Sequence, residues 1–137
     1  MGQYHKLVNL DKQEQVSPYA IGLLGKQYEH TGSPGGLSDV LYLLTMTSVA
    51  QGGGDFPETE VSGRWVGDRV VVVGDYTQEN AVPGYAGDTS TLYSDSENWL
   101  DISDKVREAF TEIFEIAYEE ETLFPGSFSR KLPEFWR

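Results

Sequence analysis

Residues 61–76 read VSGRWVGDRVVVVGDY and contain the strongest local structural signal in the chain. Gly67 and Asp68 stand between a run that contains Trp65 and four consecutive valines at 70–73. A Gly-Asp pair is typical of the two-residue turn of a β-hairpin, because glycine accepts the positive φ that such turns require. Four adjacent valines are typical of a strand that is buried on both faces. These residues therefore predict a β-hairpin whose second strand lies at the centre of a sheet.

Alternation along this predicted hairpin sorts its side chains onto two faces. One face carries Val61, Trp65, Val70 and Val72. The other carries Val66, Val71 and Val73, with Arg64 and Arg69 on a diagonal. Because the guanidinium group presents a planar fork of donors, the two arginines predict an anion-binding face, with Asp75 and Tyr76 as further ligand-binding candidates at the strand end. The alternative is that the arginines pair with the chain's own acids, and that Asp75 and Tyr76 are a turn residue and a core-edge aromatic.

Four sequence segments together carry a resemblance to a known family. They are GQYHKLVNLDK at 2–12, GGGDF at 52–56, GRWVGDRVVVVGDY at 63–76 and LDISDKV at 100–106. In combination they resemble a family of small prokaryotic and phage-associated proteins without an assigned activity. The similarity covers most of the chain up to about Val106, is loose over 16–30, and is absent from 119 onward. The resemblance implies a shared fold and a phage-associated accessory role against a host or defence protein, and it implies no site residues.

The composition predicts one globular domain over residues 1–137. Hydrophobic residues make up 39% of the chain and aromatic residues 12%, which is enough to build a core. The absence of cysteine excludes disulfides and thiolate metal sites. No apolar run approaches the roughly 18 residues of a membrane span, and the N-terminal residues do not resemble a signal peptide. We therefore expect a cytoplasmic protein, or one that acts in a host cytoplasm if it is viral.

The chain is strongly acidic, with 22 aspartates and glutamates against 10 lysines and arginines and a net charge of −12. Such a charge repels nucleic acid, so direct nucleic-acid binding is not expected. It favours a basic protein partner or a surface that imitates phosphates. Simple solvation or adaptation to salt is an equally good alternative explanation.

The remaining pattern predicts an α+β fold in which a small, mostly antiparallel sheet packs with about two helices. A strand is expected at 4–10 and a polar turn at 11–17, whereas two glycines leave 21–28 ambiguous. A helix at 37–51, apolar nearly all round, is expected to be buried and to end at three consecutive glycines. The long polar stretch 77–101 is expected to be a functional or mobile loop.

The last helix is predicted to begin near Asp101 or Ser103, either of which can cap it. One stripe at helical spacing holds Ile102, Val106, Ala109, Phe110, Ile113 and Ala117. A second face holds Glu108, Glu112, Glu115 and Glu119, which are the candidate residues for binding a protein partner. The alternative for this face is a solvated surface. Residues 122–137 are predicted to form an irregular aromatic tail that packs on the domain or on a partner.

No motif in the sequence predicts a catalytic centre, a metal site or a cofactor. His5 and His30 are the only histidines, and neither belongs to a metal-binding pair at helical spacing. Residues 32–36, GSPGG, could cradle an anion but lack the P-loop pattern and are more typical of a flexible turn. The favoured hypothesis is a non-catalytic acidic binding protein. The alternative is a small-ligand or nucleotide-binding domain, or an enzyme, that uses the arginine face.

Overall fold

The structure is a computed structural model that describes residues 3–18, 27–31, 35–48, 55 and 57–123, with side chains described for all of these except 29 and 116–123. Its elements are strand β1 (His5–Asn9), β2 (Glu14–Val16), helix α1 (Gln27–His30), α2 (Leu37–Thr45), β3 (Val70–Gly74), α3 (Leu92–Asp95), β4 (Leu100–Asp101) and α4 (Ser103–Leu123). Two 3₁₀ turns, Thr89–Thr91 and Ser96–Asn98, flank α3.

The four strands form one sheet in the order β3-β1-β2-β4. β1 is antiparallel to both β2 and β3, whereas β2 and β4 are parallel. The predicted fold class, an α+β fold with a small and mostly antiparallel sheet, is confirmed. The central hairpin, however, is β1–β2, in which Leu7 lies opposite Val16.

The hairpin predicted around Gly67 and Asp68 is wrong. Residues 59–68 wind through successive turns, in which the Arg64 N–H donates to the Val61 carbonyl at 3.1 Å and the Asp68 N–H donates to the Trp65 carbonyl at 3.1 Å. The Trp65 N–H donates instead to the Leu44 carbonyl of α2 at 2.8 Å. The buried indole therefore enters the core from a coil that lies on a helix. The apolar alternation predicted the burial of Trp65 correctly and its strand conformation wrongly.

The position predicted for the four valines is also wrong, because β3 lies at an edge of the sheet and pairs with β1 alone among the described strands. The Val72 side chain is 55% exposed, although Val73 is buried. The strand that is buried on both faces is β1, in which residues 6–9 are all buried. β1 lies between β2 and β3, and buried clusters pack on both of its faces, with Leu7 in one cluster and Val8 in the other.

Buried apolar side chains lie on both faces of the sheet. The larger cluster joins the sheet, α2, the coil and α4, and consists of Leu7, Val16, Leu37, Val40, Leu43, Leu44, Val61, Trp65, Ile102, Val106, Ala109, Phe110, Ile113 and Phe114. The smaller cluster, on the other face, consists of Val8, Leu10, Val73 and Leu92. The predicted stripe of α4 is confirmed from Ile102 to Ile113, whereas the side chain of Ala117 lies outside the described part of the structure.

Several element boundaries differ from the predictions. The predicted polar turn at 11–17 contains β2, and the predicted loop at 77–101 contains α3, β4 and the two 3₁₀ turns. α2 ends at Thr45, and both Leu41 and Tyr42 are exposed, so this helix is not buried all round. The glycines at 52–54 and the tail from 124 lie outside the described residues. α4 begins after Asp101, whose carboxylate accepts the Ser103 N–H at 2.9 Å, in agreement with the predicted cap.

A pair of glycine substitutions tests the turns of the coil. Gly63 and Gly67 have φ values of 71° and 80°, so alanine at either position should cost about 1 kcal/mol of backbone strain. A Cβ at Gly63 would also lie 2.8 Å from the Met46 carbonyl oxygen, whereas one at Gly67 meets no atom within 4 Å. We expect urea denaturation to show a loss of about 1 kcal/mol for Gly67→Ala and of roughly 2 kcal/mol or more for Gly63→Ala. Equal losses would contradict the close packing of the coil on the end of α2.

Candidate functional site

Arg64 is bound to a buried carboxylate of the sheet. Glu14 of β2 is only 3% exposed. Its carboxylate accepts Arg64 Nε at 2.9 Å, Arg64 Nη2 at 2.5 Å and Trp65 Nε1 at 2.7 Å. The hydrogen bonds from Arg64 hold the pKa of Glu14 below its usual value. Burial alone would raise this pKa, and the hydrogen bond from the Trp65 indole lowers it further. Arg64 therefore neutralises an internal charge.

Arg69 is bound to a different acid, at the turn between β1 and β2. The backbone N–H and the Nε of Arg69 donate to the two carboxylate oxygens of Asp11 at 2.7 and 2.9 Å. These bonds lower the pKa of Asp11. A second ion pair joins Lys12 to Asp68, whose carboxylate also accepts Asn9 Nδ2 at 2.8 Å. Two charge pairs thus join the β1–β2 turn to the end of the coil.

The four residues of the predicted ligand site do not converge. Arg69 precedes β3 and Asp75 follows it, so the five-residue strand separates their Cα atoms by roughly 20 Å. Asp75 extends the β1–β3 ladder, because its N–H donates to the Tyr4 carbonyl at 3.1 Å and its carboxylate accepts the Tyr4 N–H at 3.0 Å. Tyr76 is 62% exposed. Anion binding by these residues stays a prediction, and for Arg64 and Arg69 it requires an anion that competes with their present carboxylate partners.

The acidic face of α4 lies in solvent over the part of the helix whose side chains are described. Glu108, Glu112 and Glu115 are all exposed, opposite the buried stripe, and the side chain of Glu119 is not among those described. Lys105 pairs with Glu60 of the coil at 2.8 Å and leaves these glutamates to solvent. Their role in binding a partner stays a prediction.

A groove that the sequence did not predict lies between α1, α2 and the part of the sheet formed by β1 and the edge strand β3. It has a volume of about 580 Å³ and is lined by His5, Gln27, Tyr28, His30, Thr31, Leu37, Ser38, Leu41 and Val72. Both histidines of the chain thus line one groove. No group of three metal-ligating side chains occurs among the described residues. The exposed surface of the groove is mainly apolar, which suits an apolar side chain.

The groove was missed because its walls come from three distant parts of the chain. One signal is visible in hindsight, since Leu41 and Tyr42 belong to a helix whose apolar residues exceed what one buried face can hold. Residues 32–36 are predicted to be a flexible turn, with an anion cradle as the alternative. In the described part of this segment, Gly35 has φ 79°, and its N–H donates to the Asp39 carboxylate at 2.8 Å. Residues 32–34 lie outside the described part of the structure.

Comparison with known proteins adds no family or function. No family model, curated protein or solved structure matches the chain. The resemblance in the four sequence segments therefore stays a prediction. No helix among the described residues is long and apolar enough to cross a membrane.

Replacing Glu14 tests the ion pair between this buried carboxylate and the partly exposed Arg64, and its pH dependence. Because the folded-state pKa of Glu14 is lowered, the pair stabilises the fold above the roughly 4.3 of an unfolded glutamate, and this stability is lost as pH falls through the folded-state value. We expect Glu14→Gln to lower the free energy of unfolding by about 2 kcal/mol at pH 7, because Arg64 loses its charged partner. The difference from the parent should shrink in acid.

The matched control is Glu112→Gln, which removes a carboxylate that is exposed on α4. Urea denaturation between pH 7 and pH 3 should show no change in its stability beyond about 0.5 kcal/mol. If Glu14→Gln behaves like this control, the Glu14–Arg64 ion pair does not stabilise the fold.

Proposed function

We propose that this protein is a non-catalytic, acidic binding protein that engages a basic surface of another protein. The observation that carries the proposal is that the described lysines and arginines are already paired within the chain. Every lysine and arginine among the described residues has a partner within the chain, and these are Lys6, Lys12, Arg64, Arg69, Lys105 and Arg107. Among the described residues, the cationic groups that could hold a phosphate or nucleotide are therefore already engaged.

The carboxylates, in contrast, exceed the available internal partners. The chain has 22 acidic and 10 basic residues, and exposed glutamates follow the outer face of α4. Such an excess produces a negative potential that attracts a positively charged protein and repels phosphate groups. An exposed apolar surface accompanies it, with Tyr28 93% exposed and Tyr42 63% exposed. In this proposal the negative charge of the protein speeds its encounter with a basic partner, and contact of the partner with the exposed apolar surface adds to the binding affinity.

The sequence resemblance supports a narrower form of the proposal. A family of phage-associated proteins suggests that the partner is a host or defence protein, and that binding takes place in the cytoplasm. In this form the protein acts by occupying a basic surface of its target, for which no catalytic group is required.

The acidic face is tested by two double variants that change the net charge equally. Glu108→Gln/Glu112→Gln should weaken binding to a basic protein that co-purifies from the native cells by about fivefold and flatten its salt dependence. Glu58→Gln/Glu97→Gln, which alters exposed acids outside α4 and away from the β3 edge, should change the affinity by less than about twofold. Affinities would be measured by calorimetry at several salt concentrations. If both variants lose affinity equally, only net charge matters, and α4 is a solvated face.

A panel of anions separates protein binding from small-ligand binding. Because Arg64 and Arg69 already hold carboxylates, millimolar phosphate, ATP and GTP should leave the melting temperature of the protein unchanged. A ligand present at about 100 times its Kd would add roughly 2.7 kcal/mol of stability, which a thermal scan readily detects. A rise in melting temperature that Arg69→Ala abolishes would contradict the proposal and favour a nucleotide- or anion-binding domain.

A further inference from the structure

We propose that the outer edge of β3, together with the groove beside it, binds an extended segment of the partner as an added β-strand. The segment has alternating basic and apolar residues. This inference rests on the proposed function and assigns the contact surface and the chemistry of the partner.

The open edge follows from the pairing of β3 with β1. In an antiparallel pair, successive residues alternately bond to the neighbouring strand and face away from it. The Leu10 N–H donates to the Arg69 carbonyl at 2.9 Å, and the Asp75 N–H donates to the Tyr4 carbonyl at 3.1 Å. Residues 71 and 73 therefore bond to β1, whereas the backbone groups of Val70 and Val72 face outward. No described strand pairs with them.

One end of this edge is closed by the fold itself. Gly74 also faces outward, but its N–H donates to Thr77 Oγ1 at 2.9 Å and its carbonyl accepts the Thr77 N–H at 3.1 Å. The open part thus comprises two outward-facing residues, Val70 and Val72, with one N–H and one C=O each. Their spacing matches the hydrogen-bonding period of an incoming strand.

β3 also lacks the features that keep an edge strand from pairing. Exposed edges in proteins are commonly protected by charged residues, proline or a bulge. The sequence of β3 is VVVVG, and it pairs with β1 in continuous register without a bulge. Val72 at its centre is 55% exposed. An unprotected edge of this kind is a binding site for an extended peptide.

The groove provides a place for one apolar side chain of the incoming strand. Val72 lines this groove together with Leu41 and Tyr28. Because side chains alternate along a strand, every second residue of an added segment would point toward this face. An aliphatic or aromatic residue there would cover Val72 and Leu41, which are exposed in the chain alone.

Charge selects the rest of the segment. A second copy of this chain would bring a further net charge of −12 to the same surface, which disfavours pairing of β3 with itself. Asp75 and Glu79 are exposed just beyond the end of β3. Lysine or arginine at the outward positions of the incoming strand would meet this negative field, so the favoured occupant is a basic–apolar segment of a protein partner.

The test uses a fluorescein-labelled peptide, Lys-Val-Lys-Val-Lys-Val-Lys, with fluorescence anisotropy as the readout. Val72→Pro removes an outward N–H and leaves the bonds from residues 71 and 73 to β1 intact. We expect this substitution to weaken peptide binding by about tenfold, because the peptide loses one hydrogen bond and the proline ring changes the shape of the strand edge. The matched control Val72→Thr keeps the N–H and the branched shape and should lose less than about threefold. A peptide with a central N-methylvaline should bind the parent as weakly as the standard peptide binds Val72→Pro.

Amide hydrogen exchange on the parent protein tests the same geometry without a variant. The peptide should slow exchange at Val70 and Val72 by about tenfold, while Val71 and Val73 are already protected in the free protein. Equal peptide affinity for the parent and Val72→Pro, no binding at millimolar peptide, or no protection at Val70 and Val72 would each overturn the proposal. If a co-purifying protein still binds Val72→Pro with parental affinity, the edge proposal fails, whereas the proposed binding function stands.

Discussion

The buried carboxylate of Glu14 is the group on which most of the described structure depends. It lies in the short strand β2 and accepts hydrogen bonds from Arg64 and Trp65, about fifty positions later in the chain. A buried charge is destabilising unless it is paired and hydrogen-bonded, so β2 and the coil at 59–68 stabilise each other. The same coil donates backbone bonds to α2 and places Trp65 in the larger cluster. One carboxylate thus couples the sheet, the coil and a helix.

A second polar network holds the other face of the β1–β2 hairpin. Gln15 accepts a hydrogen bond from Lys6 Nζ at 3.1 Å and donates to the carbonyls of Glu97 and Trp99 at 3.1 and 3.2 Å. The ammonium of Lys6 also lies 4.7 Å from the ring centroid of Tyr93. Burial lowers the pKa of Lys6, while nearby acids oppose the shift. Glu14 and Gln15 are neighbours in the three-residue strand β2. Glu14 connects the hairpin to the coil at 59–68, and Gln15 connects it to the segment at 97–99.

This use of charge links the stability of the fold to its surface. The described cations bind carboxylates, an amide or other partners inside the chain, and the acids left over face solvent. Each internal ion pair neutralises one acid and one base, so the net charge of −12 belongs to the acids left over. Edge strand β3 and the adjoining groove interrupt that acidic surface with apolar groups. A surface of this kind suits a partner that is basic in charge and extended in shape.

Local pattern in the sequence was sufficient for the fold class, for the strand at 4–10, for the buried stripe of α4 and for the positive φ of Gly67. Each of these follows from side-chain periodicity or from the conformational range of one residue. The pairing of the strands was not predictable in the same way, because the valine run at 70–73 reads alike at the centre and at the edge of a sheet. The coil around Trp65 was mistaken for a strand, since alternation of apolar residues reports burial and not backbone bonding. Only the tertiary structure joined Arg64 to Glu14 and Arg69 to Asp11, and brought His5, His30 and Val72 to one groove. Those contacts join residues far apart in the chain, and a local pattern contains no information about which distant residue will satisfy a given charge or cover a given face.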